Sequence, residues 1–230
     1  MQAAIKKRAI MIPLDLFEDP PPEAQTAHET LAPGAVLMRG FAREGDGELL
    51  QAVESVMAQA PPRHWQTPGG HSMSVATTRC GPLGWVPGAD GYHYAAQHPI
   101  TQAPWPAMPG CLMDFAVSAA AEAGYPGFVP DSCLINLYVP GAKLGMHQDK
   151  DERDLRAPIV SLSLGLPAVF LWGGHQRTGS PERYRLVHGD VVVWGGPSRL
   201  RFHGVLPLAD GEHALVGRRR INVTFRRVRP

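Results

Sequence analysis

The sequence predicts a mainly β fold with flanking helices (α+β), in which a double-stranded β-helix, or jelly roll, forms the second half of the chain. Three observations support this prediction. Many short strand candidates follow one another closely from residue 134 onward. Turn signals rich in Gly, Pro and Asp separate these candidates. Segments with helical periodicity precede them, and we expect these helices to cover the outer face of one sheet.

The first part of the chain is expected to contain a strand and two helices. Residues 34–39 (GAVLMR) have the composition of a strand. Asp46 is a candidate N-cap of a helix whose apolar residues recur on one face, and Pro61 ends that helix. A second helix is expected over 109–123, with Gly124 as its C-cap.

Two further segments of the first half lack regular patterning. Residues 1–33 are rich in Pro, Ala and Glu and are interpreted as an N-terminal extension. Residues 63–107 are dense in Gly, Pro and aromatic residues. A long irregular segment in a compact chain often forms a lid or a binding surface, so we expect one here. The alternative is a pair of poorly patterned hairpins that carry core aromatic residues.

Residues 134–227 are interpreted as the jelly-roll core of a single domain that spans residues 1–230. The expected strands are 134–139, 144–149, 158–164, 167–172, 184–187, 190–194, 199–203 and 219–227. Strands this short and this closely spaced are typical of a sandwich or a barrel, and the jelly roll is one such architecture.

Composition and charge limit the possible function classes. The formal net charge is only +1, so the chain as a whole lacks the strongly basic character that indicates nucleic-acid binding. The three cysteines, Cys80, Cys111 and Cys133, form no CxxC pair, which favours a reducing compartment such as the cytoplasm. No apolar run is long enough to span a membrane. We expect a cytoplasmic monomer, and Met11 is an alternative to Met1 as the first residue.

A His and an Asp two residues apart, His147 and Asp149, are the first candidates for metal ligands. Side chains at positions i and i+2 of a strand point to the same face, so the imidazole and the carboxylate would lie side by side. They would provide two members of the 2-His-1-carboxylate triad that binds non-haem Fe(II). His203, at the end of an expected strand, is the preferred third ligand, and His188 is the second choice.

Other interpretations of this pair stay open. A bare His-x-Asp pattern arises often by chance, and the acidic run DKDERD (149–154) also fits a solvated turn. A Ca²⁺ loop would start in the same way, but Arg153 occupies its fifth position and the sixth position lacks the required Gly. A structural zinc site would need more ligands, and usually cysteine.

Two of the expected strands have a polar face that is rich in Asn, Arg and Tyr. The residues of these faces are Asn136 and Tyr138 on one strand and Arg220, Asn222, Thr224 and Arg226 on the other. Arg binds carboxylates through two parallel hydrogen bonds, so these faces would suit a dicarboxylate beside the metal pair. For one strand alone, a face in contact with water is the better interpretation. The two strands together with the His-x-Asp pair favour a cavity.

These residues resemble the motifs of the AlkB family of Fe(II)- and 2-oxoglutarate-dependent dioxygenases. The resemblance depends on Asn136-x-Tyr138, Pro140-Gly141, His147-x-Asp149, His203 and Arg220-x-Asn222-x-Thr224-x-Arg226. Longer segments are similar to bacterial members of the family, among them TPGG (67–70), MSVA (73–76), CG-LGW (80–85), PWPAMP (104–109), HQDKDE (147–152) and HGDVVVWGG (188–196). The similarity covers nearly the whole chain from about residue 12.

The resemblance implies Fe(II) as the metal, with 2-oxoglutarate and O2 as co-substrates. It implies that His147, Asp149 and His203 bind Fe(II). The residues that would bind 2-oxoglutarate are Arg220, which pairs with its distal carboxylate, Tyr138 and Asn222, which assist, and Asn136 and Arg226, near its other end.

The resemblance also implies a nucleic-acid substrate and identifies residues 63–107 as a nucleotide-recognition lid. Trp85 would stack on a flipped-out methylated base whose other face lies against the ring of His147. The other substrate contacts would be Tyr92, His93 and Tyr94 to the nucleic-acid backbone, Asp151 to the exocyclic amino group of the base, and Arg177 in the wall of the pocket. His71 and Thr77 replace Tyr and Met of bacterial members within the lid, so the range of lesions accepted stays open.

The implied function is direct DNA repair by oxidative demethylation of 1-methyladenine and 3-methylcytosine, with release of formaldehyde, succinate and CO2. Methylated single-stranded DNA is the expected partner. An RNA or tRNA demethylase is the alternative within the family, because the sequence contains no clear reader of the ribose 2′-hydroxyl group. A non-catalytic jelly-roll protein that binds a metal and senses a ligand is a further alternative, which the intact triad with both arginines disfavours.

Overall fold

The computed structural model describes residues 27–67, 69–88 and 91–230. Most of the expected N-terminal extension, with both possible start positions, lies outside the described residues. The elements of the first part of the chain are β1 (His28–Ala32), β2 (Ala35–Met38), α1 (Asp46–Gln59), β3 (Ala76–Cys80), β4 (Gly84–Gly88), β5 (Gly91–Ala95) and α2 (Gly110–Glu122). Neither helix is long and apolar enough to cross a membrane.

The second part of the described chain contains strands without a further α-helix, as the closely spaced strand candidates predict. These strands are β6 (Ser132–Tyr138), β7 (Leu144–His147), β8 (Ile159–Gly165), β9 (Ala168–Trp172), β10 (Glu182–Leu186), β11 (Val191–Trp194), β12 (His203–Val205) and β13 (Arg220–Arg226).

The strands form two large sheets and one separate hairpin. The seven-stranded sheet has the order β1-β2-β11-β8-β13-β6-β3, and the four-stranded sheet has the order β10-β9-β12-β7. Strands β4 and β5 pair only with each other. All of these pairings are antiparallel. The predicted mainly β architecture with two packed antiparallel sheets is therefore confirmed.

An apolar core fills the space between the two large sheets. The seven-stranded sheet contributes Trp194 among others, and the four-stranded sheet contributes Phe170 and Trp172. The two Trp rings meet edge to face, with centroids 6.1 Å apart. Burial of large apolar side chains contributes about 1.5–3 kcal/mol each, so this core holds the two sheets together.

The other face of the seven-stranded sheet is covered by both helices, as expected. Val53 of α1 and Leu112 of α2 pack in one cluster with Val191 and Val193 of β11. Along β11, Val192 and Trp194 belong instead to the cluster between the sheets. Because side chains alternate along a strand with a period of two residues, β11 contributes to both cores, one on each face of the sheet.

Two local predictions in these elements are wrong. Gly45, and not Asp46, occupies the N-cap position of α1. Oδ2 of Asp46 lies instead 3.1 Å from Nε2 of His188. The strand expected over 199–203 is also absent, because Gly196–Ser198 form a 3-10 helix with Pro at its start and Arg199 continues in a helical conformation. Strand β12 therefore begins only at His203.

Residues 63–107 combine both interpretations that the sequence allowed. Strand β3 joins the edge of the seven-stranded sheet, where Thr78 pairs with Ile135 of β6. The hairpin β4–β5 stands apart from that sheet and carries Trp85 and Tyr92. Strand β1, which falls within residues 1–33, pairs with β2 at the opposite edge.

Candidate metal and co-substrate site

Three side chains converge at the C-terminal end of β7, which is an edge strand of the four-stranded sheet. His147 of β7 and His203 of β12 are directly paired across the ladder, and Asp149 follows two residues after His147. The ligand atoms of the three residues all lie within 4.8 Å of one another. Strand β7 ends at His147, so the expected strand over 144–149 is too long, but the convergence predicted for His147 and Asp149 is observed.

Hydrogen bonds orient both imidazole rings. Nδ1 of His147 lies 2.9 Å from the carbonyl oxygen of Gly145, and Nδ1 of His203 lies 3.1 Å from that of Arg201. A carbonyl oxygen only accepts, so each Nδ1 carries the proton and each Nε2 presents a lone pair to the shared centre. Burial, together with the neighbouring His147, lowers the pKa of His203 to about 3, which keeps that ring neutral.

The carboxylate of Asp149 is held in its ionised form. Burial alone would raise the pKa of Asp149, but the charge and hydrogen bonds of Arg226 and the two neighbouring histidines together outweigh this effect and hold the pKa below its ordinary value. Oδ1 of Asp149 lies 3.6 Å from Nε2 of His147, and Oδ2 lies 4.0 Å from Nε2 of His203. Two imidazoles and one carboxylate on one side of a centre are the donor set of a mononuclear Fe(II) site.

His188, the second choice for the third ligand, lies elsewhere. Its Nδ1 accepts a hydrogen bond from the backbone N–H of Gly165 at 2.9 Å, and its ring stacks on His213 at 4.4 Å. His188 is not a member of the cluster formed by His147, Asp149 and His203. The geometry therefore favours His203.

A buried guanidinium with unsatisfied donors, that of Arg220, lies at the start of β13. Arg226, which is near Asp149, lies at the opposite end of this strand. Arg220 is 2% exposed, and its Nη2 donates a hydrogen bond to Oγ of Ser163 at 2.9 Å. Its Nε and Nη1, like the hydroxyl of Tyr138, make no hydrogen bond of acceptable geometry with the described residues. The guanidinium lies 5.1 Å from the centre of the Tyr138 ring. Buried donors without acceptors are costly, so this arrangement fits an anion such as a carboxylate.

Side chains of β6, β8 and β13 connect Arg220 to the metal position. Asn136 donates a hydrogen bond to Oδ1 of Asn222 at 3.2 Å, and Asn222 donates one to Oγ of Ser161 at 2.8 Å. Together with the metal ligands, these three residues line a cavity of about 90 Å³. Arg220 lies two residues before Asn222 on the same strand face. Polar groups thus extend from the metal ligands along β13 toward Arg220, which does not itself line this cavity.

A larger cavity of about 610 Å³ opens on the outer side of His147 and Asp149. Trp85, from the hairpin β4–β5, stacks on Tyr92 with ring centroids 4.2 Å apart. Nε1 of Trp85 donates a hydrogen bond to Oδ2 of Asp151 at 2.8 Å. The structure brings Trp85, Tyr92, Asp151 and Arg177 into the wall of this cavity.

His93 and Tyr94, the two other residues expected to contact substrate, do not line this cavity. His93 is exposed. Side chains alternate along β5, so His93 lies on the opposite face of the hairpin from its two neighbours. The hydroxyl of Tyr94 donates a hydrogen bond to Oε1 of Glu152, which turns this side chain toward the protein interior.

The sequence interpretation missed Glu152 and Arg199. Glu152 is only 6% exposed, and its Oε2 accepts a hydrogen bond from Arg199 at 2.8 Å. Arg199 also donates to the backbone carbonyl of Asp149 at 2.5 Å. Glu152 lies 3.4 Å from Nε of Arg226. The acidic run 149–154 also fits a solvated turn by its sequence, yet Asp149, Glu152 and Asp154 are all buried.

Comparisons with known proteins agree with this geometry. The model of the 2OG-Fe(II) oxygenase superfamily matches residues 34–226. The chain is 54% identical over 213 residues to the alpha-ketoglutarate-dependent dioxygenase AlkB of Salmonella typhimurium, which covers 93% of this chain and 97% of that protein. The AlkB protein of Escherichia coli gives the same identity and coverage. The solved structure of OsALKBH1 superposes with a TM-score of 0.76 at 27% identity, over 87% of this chain and all of that one.

Proposed function

Because this chain belongs to the 2OG-Fe(II) oxygenase superfamily, we propose that it oxidatively demethylates 1-methyladenine and 3-methylcytosine in single-stranded DNA. The chain is an Fe(II)- and 2-oxoglutarate-dependent dioxygenase. The observation that carries the proposal is the outer cavity. It places an aromatic surface, Trp85, and a carboxylate, Asp151, beside the ligands His147 and Asp149.

The residues present fit the metal and the co-substrate. His147, Asp149 and His203 would hold Fe(II), and the unsatisfied donors of Arg220, with the hydroxyl of Tyr138, would hold the distal carboxylate of 2-oxoglutarate. When bound, Fe(II) with 2-oxoglutarate and O2 supplies the oxidation that hydroxylates the methyl group, which leaves as formaldehyde while 2-oxoglutarate becomes succinate and CO2.

The outer cavity would receive the damaged base. A methyl group on N1 of adenine or N3 of cytosine blocks normal pairing, which lowers the cost of extruding the base from a strand. The indole of Trp85 offers one stacking surface, worth about 1–3 kcal/mol, and His147 lines the same cavity. These methylated rings are cationic, so the carboxylate of Asp151 favours their binding by charge.

We assign the backbone contacts to the rim of the same cavity. Tyr92 and Arg177 line it, and His93 lies exposed on the hairpin beside it. The formal net charge of +1 limits these contacts to a few phosphates, which favours short single strands over long duplexes. Tyr94, which the resemblance places among these contacts, is bound to Glu152, so we assign it to the attachment of the hairpin.

The expected organisation follows from the same assignments. We propose that the part of 63–107 that excludes β3 is the nucleotide-recognition lid, and that 134–227 is the catalytic core of a single domain.

The three cysteines carry no disulfide, which supports a reducing compartment such as the cytoplasm. We further propose that the protein acts as a monomer, because a single chain is enough to bring the three ligand candidates together.

The test is an assay with Fe(II), 2-oxoglutarate and O2 on one methylated sequence, prepared as single-stranded DNA, duplex DNA and single-stranded RNA. Formaldehyde and succinate in equal amounts, fastest with single-stranded DNA, are the expected result. A faster reaction with RNA would favour the RNA demethylase. Release of no formaldehyde from any of the three would refute the proposal, and binding of 2-oxoglutarate without turnover would support a ligand sensor.

Two histidine variants form a matched pair in the same assay. His203→Ala should abolish turnover and Fe(II) binding, because His203 is one of the three converging ligands. His188→Ala removes a histidine that lies outside the cluster and should retain Fe(II) binding. Loss of Fe(II) binding in His188→Ala alone would contradict the choice of ligands.

A further inference from the structure

Arg79 is a fully buried arginine outside the metal and co-substrate site. It lies on β3, at the edge of the seven-stranded sheet, and its side chain is 0% exposed. Its Nε donates a hydrogen bond to the backbone carbonyl oxygen of Trp85. Arg79 lines neither the cavity at the metal ligands nor the outer cavity, so the demethylation chemistry does not account for its burial.

Among the described residues, aromatic rings and not a carboxylate surround the charge of Arg79. The guanidinium carbon lies 4.8 Å from the ring centre of Trp65 and 5.4 Å from that of Trp105. Both Nη atoms make no hydrogen bond with the described residues. An arginine cation is attracted to the face of an indole ring, and most strongly where water is excluded. The two indoles therefore fix the guanidinium in position.

The same residues hold both strands at the base of the hairpin β4–β5. Trp85 pairs with Tyr94 and Gly84 with Ala95 at this base. Arg79 binds the carbonyl group of Trp85, and Nε1 of Trp105 donates a hydrogen bond to the carbonyl group of Ala95 at 2.9 Å. We refer to Arg79, Trp65 and Trp105 as the hairpin clamp.

The sequence of the hairpin accommodates this clamp. A Cβ atom at Gly84 would lie 2.5 Å from the ring of Trp105 and 2.9 Å from Cδ of Arg79. Any other residue at Gly84 would therefore push the clamp and the hairpin apart. The close approach shows that the contact between hairpin and clamp is a built part of the fold.

We propose that Arg79 is a positioning residue that sets the direction of the Trp85 indole in the wall of the outer cavity. The direction of the backbone, the hydrogen bond to Asp151 and the stacking on Tyr92 orient this indole. Arg79 fixes the first of these, because it attaches the backbone at Trp85 to the rigid edge of the sheet. Insofar as the ligand of Trp85 is a methylated base, the inference depends on the proposed function.

The test compares Arg79→Met with Arg79→Lys and with Arg63→Met as the matched control. Methionine keeps an apolar stem between the two indoles but donates no hydrogen bond, whereas lysine retains one charged donor. Arg63 is an exposed arginine that lines a surface cavity beside Trp105, so its replacement removes an equal charge nearby without removing a member of the clamp.

Amide hydrogen exchange gives a readout that does not need a substrate. Arg79→Met should accelerate exchange in peptides from 84–95 and leave 132–138 and 220–226 unchanged, and Arg79→Lys should restore part of the protection. Unchanged exchange in 84–95 would overturn the proposal. Faster exchange in all three segments would also overturn it, because Arg79 would then support the sheet as a whole.

Kinetics then test the consequence for substrate capture. Arg79→Met should raise the KM for the methylated oligonucleotide about tenfold, with kcat and the KM for 2-oxoglutarate near their original values. An unchanged KM despite faster exchange in the hairpin would refute the positioning role. If the unmodified protein releases no formaldehyde from any oligonucleotide, the proposed function fails, while the exchange experiment still decides whether Arg79 holds the hairpin.

Discussion

The guanidinium of Arg226 donates two hydrogen bonds to Oδ2 of Asp149, at 3.1 Å from Nε and 2.8 Å from Nη2. The other carboxylate oxygen, Oδ1, lies 3.6 Å from Nε2 of His147 and therefore faces the metal position. Arg226 thus orients a ligand while it stays outside the ligand set. Loss of such an outer partner typically costs about 10- to 100-fold in metal affinity or activity.

Replacement of Arg226 by methionine should therefore weaken Fe(II) binding about tenfold or more. Arg227→Met is the matched control, because Arg227 is its chain neighbour and binds Asp154, away from the metal position. Anaerobic titration with Fe(II) measures the affinity, and thermal unfolding shows that each variant is folded. Equal Fe(II) affinities in the two variants would contradict the orienting role of Arg226.

A second prediction concerns the carboxylate site at Arg220. Lysine at this position keeps the charge but loses the planar pair of donors, so Arg220→Lys should raise the KM for 2-oxoglutarate about 10- to 100-fold. Arg218→Lys is the control, because Arg218 pairs with Asp210 at an exposed position. Succinate formation at varied 2-oxoglutarate gives both constants. An effect of Arg218→Lys as large as that of Arg220→Lys would count against the assignment.

Trp85 gives a third prediction, which separates substrate capture from 2-oxoglutarate turnover. Trp85→Ala should weaken use of the methylated oligonucleotide by a factor that matches the loss of about 1–3 kcal/mol of stacking. Succinate formation without oligonucleotide should persist, because the donors at Arg220 are unaffected. Trp85→Phe keeps an aromatic face and should lose less. Unchanged repair by Trp85→Ala would show that the base is not bound at this surface.

The fourth prediction concerns pH. Burial lowers the pKa of His98, and the charges of Arg63 and Arg79 lower it further. Nδ1 of His98 accepts hydrogen bonds from the backbone N–H groups of Ile100 and Thr101, at 3.1 Å and 3.2 Å, and these would be lost on protonation. Below pH 6.5, the ordinary value, the unfolded chain binds a proton that the folded chain still excludes. Stability from this group is therefore complete above that pH and is lost as the pH falls toward the folded pKa.

His98→Gln should accordingly be less stable than the unmodified protein near neutral pH, and its stability should change less between about pH 7 and about pH 5.5. His71→Gln, at an exposed position, is the control. Urea unfolding at the two pH values gives the free energies. An equal pH dependence in His98→Gln and the unmodified protein would show that His98 does not contribute to it.

The positions of the core strands were largely accessible from the sequence, since alternation is a local property, whereas their order in the sheets was not predicted. The polar face of Arg220 and Asn222 was correctly separated from the apolar face, and Asn136 was correctly placed beside it. The strand over 199–203 was predicted wrongly, because the 3-10 helix Gly196–Ser198 continues with Arg199 in a helical conformation, beyond the turn that the sequence indicates.

The candidate site, too, was accessible from the sequence only in part. His147 and Asp149 are two residues apart, so their closeness is local in the sequence, although Asp149 lies just beyond the end of β7. The choice between His188 and His203 could not be made from spacing, because their surroundings come from distant segments. His188 meets Asp46 of α1, whereas His203 meets His147 of β7.

By itself, the sequence determined the mainly β class, the types of metal ligand and the alternating polar and apolar faces of β6 and β13. Each of these depends on near neighbours along the chain. The tertiary structure alone decided that Glu152 is buried and that Arg79 binds the hairpin β4–β5. Glu152 meets Tyr94 across 58 residues of sequence. Arg79 is close to Trp85 in the chain, yet its burial requires Trp65 and Trp105 from two other segments. Such contacts follow from packing in space, which no local pattern encodes.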